Sequence, residues 1–391
     1  MQKFRSWFKL YFRETDKLLF FLCLCASAFG MLLVYSATKS GSTTAIPPDL
    51  RTMLMAVGMG LLLCLVISFL DYEVIIRLWP LIALFCILIM CALFVWGVAP
   101  NARQDARSWL DLKVFYFQPS ELVKIGFIIT FAVHLDAVRD HVSKFKTVLL
   151  LGVHGLIPIG LVVATGSALI FFLMFLGMMF AAGVHWGYFA AGFAAVAVSF
   201  PAIWALGDKF ILNQDQKNRF LAILYPDLYA KSEAFQQNRG IGAIGSGQLF
   251  GQGLFEGSYT QSGAVPESEN DFIFTVAAEE FGFIGAMAVL LLLAAIILRI
   301  VINGKRANDN ASYLMCMGMA SMLAAQTVIN IGMVLQWLPV IGITLPFFSA
   351  GGSSNLCVYI GIGLMMSIYR FNQKTPAANF RLQRVVTRFT T

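Results

Sequence analysis

Long uninterrupted apolar runs recur along the whole of this 391-residue chain, separated by shorter polar segments. About 20 helical residues cross the roughly 30 Å hydrocarbon layer of a membrane, and most of the runs approach or reach that length. The runs are continuously apolar instead of alternating with a period of two, which favours helices over the strands of a membrane barrel. The pattern predicts ten membrane-spanning helices, at residues 18 to 37, 52 to 70, 76 to 97, 120 to 136, 147 to 163, 166 to 183, 186 to 205, 271 to 298, 311 to 336 and 350 to 370.

The composition agrees with this pattern. Hydrophobic residues make up 59% of the chain and charged residues only 13%, with a mean hydropathy of +0.76. Soluble domains usually approach a quarter charged residues, so a soluble protein is excluded. We predict an all-α polytopic membrane protein that forms a single transmembrane domain over residues 1–391.

The net charge of +7 is informative mainly through its placement. Most of the 28 Lys and Arg residues fall in segments that are cytoplasmic if both termini are cytoplasmic, as the positive-inside rule requires. The charge therefore indicates membrane topology, and we expect no nucleic-acid partner. The prediction is a cytoplasmic-membrane protein, surrounded by membrane lipid, with an inner N-terminal segment 1–17 and an inner tail 371–391.

Two of the predicted outer segments stand out, residues 98–119 and residues 207–270. The second connects predicted helices 7 and 8, and loops of such length are uncommon unless they are functional or disordered. It carries Phe235, Leu249 and Phe250, which are too apolar for a solvated linker. We expect this large extracytoplasmic loop to pack on the membrane surface or against the helix bundle.

Asp271 stands where this loop enters predicted helix 8. One interpretation is a simple helix start, since the first turn favours acceptors and negative charge. The other is a general base at the outer lipid boundary. The predicted topology places no histidine on the outer side, so a carboxylate would have to accept the proton there. Glu267 and Glu269 stand close by in sequence, and oxygen ligands of this kind suit Mg²⁺ or Mn²⁺. The sequence therefore leaves open a divalent cation at Asp271.

Glu121 and Lys124 are spaced i and i+3 at the start of predicted helix 4, so they share a helical face. Charged side chains in a membrane helix are costly unless they are paired or functional. One interpretation is a mutually neutralising pair. The alternative is that Lys124, with Arg107 in the preceding outer segment, attracts a pyrophosphate or another anionic head group.

Two further features lie at membrane depth. Glu279 and Glu280 are adjacent acids within predicted helix 8, and we expect at least one to face the bundle interior, an arrangement that would also fit a transporter's proton relay. A Pro- and Gly-rich stretch before predicted helix 10 ends in Ser353 and Ser354. These serines could bind phosphate or sugar, or the stretch could be a turn that only fixes helix packing.

Four blocks of sequence, taken together and in this order, resemble the SEDS family (FtsW, RodA and SpoVE), whose members act in cell shape, elongation, division and sporulation. The resemblance covers nearly the whole chain. The blocks are Ala106-Arg107-Ser108-Trp109-Leu110 with Gln118-Pro119-Ser120-Glu121-Leu122-Val123-Lys124; Ile244-Gly245-Ser246-Gly247 through Gly251-Gln252-Gly253; Pro266-Glu267 through Asp271-Phe272-Ile273-Phe274 with Glu279-Glu280; and Leu345-Pro346-Phe347 through Gly351-Gly352-Ser353-Ser354.

The resemblance implies a peptidoglycan glycosyltransferase that joins disaccharide units of lipid II into glycan strands and releases undecaprenyl pyrophosphate. Asp271 matches the essential aspartate of the family, and Trp109 matches its tryptophan in the first outer segment. Arg107, Glu121 and Lys124 match its charged companions. A class B penicillin-binding protein, which is a transpeptidase, is the partner that the resemblance implies.

Three motifs depart from the family pattern. Asp105 replaces the usual Gly of a Gly-Ala-x-x-Trp motif, and Glu269-Asn270 replaces the usual His-Thr ahead of Asp271. Val162-Val163-Ala164 stands where the family has Gln-Pro-Asp, before Gly166-Ser167. Two rival functions remain open, a lipid II flippase or other transporter and a non-catalytic scaffold of a division or elongation complex.

Overall fold

The computed structural model describes residues 14–99, 107–113, 116–162, 164–206 and 214–374. Its helices are α1 (Lys17–Lys39), α2 (Pro48–Phe69), α3 (Tyr72–Arg77), α4 (Trp79–Trp96), α5 (Pro119–Ala137), α6 (Phe145–Leu161), α7 (Thr165–Ala181), α8 (Trp186–Leu206), α9 (Gln214–Leu224), α10 (Phe235–Gly247), α11 (Ser258–Gln261), α12 (Ile273–Glu280), α13 (Gly282–Lys305), α14 (Asn310–Val334) and α15 (Gly352–Lys374). A short antiparallel pair, β1 (Leu110–Asp111) and β2 (Tyr116–Phe117), precedes α5.

Each of the ten predicted spans overlaps at least one of these helices. Within the described residues, six helices are long and apolar enough to cross a membrane: α1, α2, α4, α13, α14 and α15. Shorter apolar helices occupy much of α6, α7 and α8. The prediction of an all-α polytopic membrane protein is confirmed, whereas the count of ten spans, the single domain and the outward placement of the long loop stay predictions.

Predicted helix 8 is not one continuous helix, and the sequence prediction is wrong at this point. It consists of α12 and α13, separated at Phe281 and followed by Gly282 with φ of +66°. The carbonyl of Glu279 accepts a hydrogen bond from the amide of Gln252 at 2.9 Å, and that of Glu280 from the amide of Gly253 at 3.1 Å. Backbone groups inside a membrane must find partners within the protein. The long loop therefore supplies hydrogen bonds at the break.

Glycines allow this close approach between the loop and the broken helix. A Cβ added at Gly247 would overlap the carbonyl oxygen of Ala278, and one added at Gly251 would overlap that of Glu280. Gly251 also has φ of +83°, which only glycine adopts at little cost. Direct backbone packing thus explains Gly247 and Gly251 of the glycine-rich block, whereas a Cβ at Gly245 would meet nothing within 4 Å.

The long loop folds onto the helix bundle, as one of the two sequence-based alternatives predicted. Its helix α10 packs against α12, and Gly240 lies against Phe272. The Nε2 atom of Gln237 donates to the carbonyls of Met333 at 2.7 Å and Leu338 at 2.8 Å. The loop is therefore bound to the end of α14 as well as to the broken helix.

Helices α14 and α15 form the centre of the bundle, since most of their residues are buried, whereas α4 is largely exposed on the outside. Close packing between α15 and α2 requires small residues, because Gly60 lies against Tyr359 and Gly363 against the backbone of Cys64. The residues before α15 lie beside the turn that contains Asp271, since the amide of Ala350 donates to the carbonyl of Glu269.

Candidate active site

Asp271 lies in the turn that precedes α12, and its side chain is partly exposed. The N-cap residue of α12 is Phe272, so Asp271 stands before the cap position. Its carbonyl accepts a hydrogen bond from Nδ2 of Asn330 on α14 at 2.8 Å. A Cβ added at Gly342, where φ is +69°, would lie 3.4 Å from Oδ2 of Asp271. The carboxylate therefore faces the irregular segment between α14 and α15.

The residues before α15 run along the Asp271 turn and are hydrogen-bonded to it. The amide of Ala350 donates to the carbonyl of Glu269 at 2.9 Å. The hydroxyl of Ser349 donates to the carbonyl of Asn270 at 2.7 Å and accepts from the amide of Leu345 at 2.8 Å. Two sequence blocks separated by about 80 residues are thus joined next to the carboxylate of interest.

Ser353 and Ser354 connect α15 to both of its neighbours. The hydroxyl of Ser353 accepts from the amide of Gln118 at 2.9 Å and donates to the carbonyl of Tyr116 at 3.1 Å. That of Ser354 accepts from the hydroxyl of Thr344 at 3.0 Å. Both serines therefore position the segments before α5 and α15, and their predicted binding of phosphate or sugar stays a prediction.

Glu121 and Lys124 form a buried ion pair in the first turns of α5. Nζ of Lys124 lies 2.8 Å from Oε1 of Glu121, and their side chains are 2% and 9% exposed, respectively. This arrangement is the mutually neutralising pair that the i, i+3 spacing predicted. Contact between Lys124 and a substrate head group is not tested by the structure and stays a prediction.

The segment predicted to be the first outer one is attached next to the end of α4. Trp109 is partly buried, and its backbone exchanges two hydrogen bonds with Val98, of 2.8 and 3.2 Å. Arg107, two residues earlier, has an exposed side chain. Arg107 is thus a candidate substrate-binding cation with an exposed side chain, whereas Asp105 lies outside the described residues.

The departure from the family's Gln-Pro-Asp motif lies beside the start of α5. Oγ of Ser167 on α7 lies 3.3 Å from Oγ of Ser120. Gly166 approaches the segment before α15 closely, since a Cβ there would lie 2.7 Å from the carbonyl oxygen of Ile341. The start of α7 therefore borders the same region as Asp271, and Val163 in the preceding stretch is outside the described residues.

Negative charge accumulates around the Asp271 turn. Burial raises the pKa of Glu269, and the nearby charges of Glu267 and Asp49 raise it further. Within the described ranges, however, no three His, Cys, Asp or Glu side chains lie close enough together to hold a metal ion. A cation at Asp271 stays a prediction.

Glu279 and Glu280 are both buried, which confirms the expectation that these acids face the interior. Glu279 accepts from the amides of Tyr259 at 2.7 Å and Thr260 at 2.9 Å, and from the hydroxyl of Thr260 at 2.6 Å. Oε1 of Glu280 accepts from the hydroxyl of Ser36 at 2.5 Å. These acids hold the long loop and α1 against the broken helix.

Sequence reasoning missed two residues that shape the site. Asn330 reaches the Asp271 turn from α14, and Ser349 joins the segment before α15 to that turn. The available signal was weak, namely one of two amide residues, Gln326 and Asn330, in the second half of a largely apolar helix and one serine in a Pro- and Gly-rich stretch. Neither signal identifies the group that the side chain contacts.

Comparisons with known proteins place these features in a family. The chain is 30% identical over 343 residues to the peptidoglycan glycosyltransferase MrdB of Escherichia coli K12, which covers 86% of this chain and 90% of the relative. A solved structure that concerns the coordination of polymerization and crosslinking by a peptidoglycan synthase complex matches with a TM-score of 0.78 and 27% identity, over 92% of this chain and 99% of the compared chain. The crystal structure of the rod shape determining protein RodA of Thermus thermophilus matches with a TM-score of 0.66 and 25% identity, over 92% and 97% of the two chains.

The four sequence blocks that carried the resemblance therefore meet in one fold that solved relatives share. A family model described as "Cell cycle protein" and named for FtsW, RodA and SpoVE matches residues 16–374, and the chain belongs to this family.

Proposed function

We propose that this protein is a peptidoglycan polymerase, which joins disaccharide units of lipid II into glycan strands and releases undecaprenyl pyrophosphate during cell elongation, division or sporulation. The observation that carries the proposal is the setting of Asp271. Its carboxylate is partly exposed, and its turn is held by hydrogen bonds from α14 and from the segment before α15. The name of the Escherichia coli relative, a peptidoglycan glycosyltransferase, supports the same reaction.

Asp271 acts as the general base in this proposal. The hydroxyl of the acceptor sugar attacks the anomeric carbon of the donor sugar, and its proton passes to the carboxylate of Asp271. A new carbon–oxygen bond forms while the bond to the pyrophosphate oxygen breaks, and that oxygen keeps the electron pair. A positioned general base typically contributes about 10²- to 10⁴-fold to such a step.

Cationic groups stabilise the charge that grows on the leaving pyrophosphate. The exposed guanidinium of Arg107 can bind phosphate oxygens in a bidentate manner. Lys124 is the second candidate cation, and Glu121 neutralises it in the buried pair. Trp109 and the hydroxyls of Ser353 and Ser354 complete the proposed substrate-binding set.

A divalent cation at Asp271, Mg²⁺ or Mn²⁺, is part of the proposal. Magnesium is commonly held by one or two carboxylates together with substrate phosphates and water, so a complete protein cage is not required. Such an ion would supply positive charge to the pyrophosphate when bound, and the proton transfer described above does not depend on it. Chelation with EDTA is expected to lower polymerisation, and added Mg²⁺ or Mn²⁺ is expected to restore it.

The protein is a multi-pass membrane protein of the bacterial cell envelope. We further propose that both termini are cytoplasmic, which places Asp271 and the loop 207–270 on the outer face of the cytoplasmic membrane. We also propose a class B penicillin-binding protein as its transpeptidase partner. Support comes from the fold match to a synthase complex that coordinates polymerization and crosslinking.

The transporter alternative depended on Glu279 and Glu280 as a proton relay. Both oxygens of Glu279 accept hydrogen bonds from the start of α11, which favours a fixed structural role for this carboxylate. The scaffold alternative makes a different prediction, since it requires no chemistry at Asp271. Replacing the carboxylate of Asp271 therefore separates scaffold from enzyme.

The test is polymerisation of labelled lipid II by purified wild type and by Asp271→Asn, each with and without the co-purified transpeptidase. The matched control is Asp140→Asn, which makes the same change at an exposed aspartate far from the site in sequence. We expect polymer from the wild type and the control but not from Asp271→Asn. Equal polymer from all three would overturn the role of Asp271. No polymer from any of them would contradict the polymerase proposal and favour the flippase alternative, which a lipid II flipping assay tests.

A further inference from the structure

Asn330 is an amide side chain buried at the centre of the bundle. It lies in α14, and its exposed fraction is 0%. Asparagine is a weak helix former. Burying an amide without hydrogen bonds costs on the order of 2–7 kcal/mol. Its contacts must therefore account for its presence in the interior of α14.

Both hydrogens of the Asn330 amide are used by carbonyls from two different segments. Nδ2 donates to the carbonyl of Asp271 at 2.8 Å and to that of Ile343 at 2.7 Å. The reverse orientation of the amide would place its oxygen against two carbonyl oxygens, which repel it, so the donor assignment follows from the network. Asn330 is thus a bridge between the Asp271 turn and the segment before α15.

The two carbonyls that Asn330 bridges belong to the two backbone segments next to the carboxylate of Asp271. One belongs to Asp271 itself, and the other belongs to Ile343, the neighbour of Gly342. A Cβ built at Gly342 would lie 3.4 Å from the carboxylate oxygen Oδ2. One amide group therefore fixes the backbone that carries the carboxylate and the backbone that the carboxylate faces.

We propose that Asn330 is a positioning residue for glycan polymerisation, which sets the distance between the carboxylate of Asp271 and the segment around Gly342. The inference rests on the proposed polymerase function. Asn330 touches no reacting atom in this proposal, and it acts through the place of Asp271. Displacing a catalytic group by about 1 Å can cost on the order of 10²-fold in rate.

The experiment compares Asn330→Leu with a matched control, Gln326→Met. Gln326 lies one turn earlier on α14 and is equally buried, at 1% exposed. Both substitutions remove an amide and approximately keep its volume, but only the first removes the bridge. Each purified protein, with its partner present, is assayed for kcat and KM on lipid II and for hydrogen–deuterium exchange.

For Asn330→Leu we expect kcat to fall by on the order of 10²-fold while KM changes less than about threefold. Exchange should rise together in peptides that cover 267–275 and 339–347, and Gln326→Met should leave kcat and both peptides near wild type. Equal loss of kcat in the two variants would mean a general packing defect and overturn the inference. Unchanged exchange in both peptides would also overturn it.

The exchange measurement needs no activity, so it separates this inference from the proposed function. If the wild type makes no polymer but Asn330→Leu raises exchange in both peptides, the polymerase proposal fails and the bridge stands as a structural contact only. If Asn330→Leu does not fold, Asn330→Asp, which is nearly the same size and cannot donate to both carbonyls, is measured in the same way.

Discussion

Nζ of Lys124 lies 2.8 Å from Oε1 of Glu121, and both side chains are buried between α5 and its neighbours. Neither charge could remain in this apolar region alone, because removing an ion from water costs several kcal/mol even after the protein relaxes. The pair also lies close to the thiol of Cys357 on α15. The pair therefore belongs to the contact between α5 and α15.

Lys124→Gln is expected to destabilise the protein by about 3–5 kcal/mol, because it leaves the Glu121 carboxylate buried without its partner. Thermal unfolding in detergent, followed by a thiol-reactive dye on buried cysteines such as Cys23 and Cys316, measures the change. The double variant Glu121→Gln/Lys124→Gln should recover much of the loss because no charge remains. A double variant that is less stable than the single one would contradict the neutralising pair.

Gly247→Ala and Gly251→Ala are each expected to lower stability by about 1–3 kcal/mol through overpacking. An added methyl group would overlap the carbonyl of Ala278 or of Glu280 at the broken helix. Gly245→Ala is the control, since nothing lies within 4 Å of a Cβ built there. The same unfolding assay should rank the control near wild type or above it, and a control as damaging as the other two would refute the packing explanation.

Glu279→Gln is expected to cost about 1–3 kcal/mol, because the new amide group would turn a donor toward donors at the start of α11. The affected donors are the amides of Tyr259 and Thr260. Limited proteolysis of the loop 249–262, together with thermal unfolding, should detect its release. Glu256→Gln, at an exposed position of the same loop, should leave both measurements unchanged.

Glu269→Gln is expected to stabilise the protein near neutral pH relative to wild type. Burial, followed by the charges of Glu267 and Asp49, raises the pKa of Glu269 in the folded state. Because the pKa of this carboxyl is higher in the folded than in the unfolded chain, its protonation stabilises the fold. That stability is fully present below the unfolded pKa and is lost as the pH rises through the folded pKa. Unfolding temperatures from pH 4 to pH 8 should therefore diverge as the pH rises, and curves that stay parallel would contradict this effect.

The sequence by itself determined the class of the protein and much of its local structure. Continuous apolar runs can satisfy their backbone only as helices in a membrane, so each predicted span overlaps a helix in the structure. The spacing of Glu121 and Lys124 predicted a shared helical face, since residues three apart lie on one side, and made their pairing one of two interpretations. The adjacent acids Glu279 and Glu280 were likewise predictable as interior groups, because lipid does not solvate them.

Only the tertiary structure decided where predicted helix 8 breaks and what surrounds Asp271. The break after Glu280 is possible because amides near Gly253, from the preceding loop, replace partners that the helix lacks. The role of Asn330 likewise depends on its spatial contact with Asp271, which lies 59 positions away in the sequence. Local sequence fixes backbone preference and polarity, whereas hydrogen bonds between distant segments depend on how the helices pack, and the candidate site is built from such bonds.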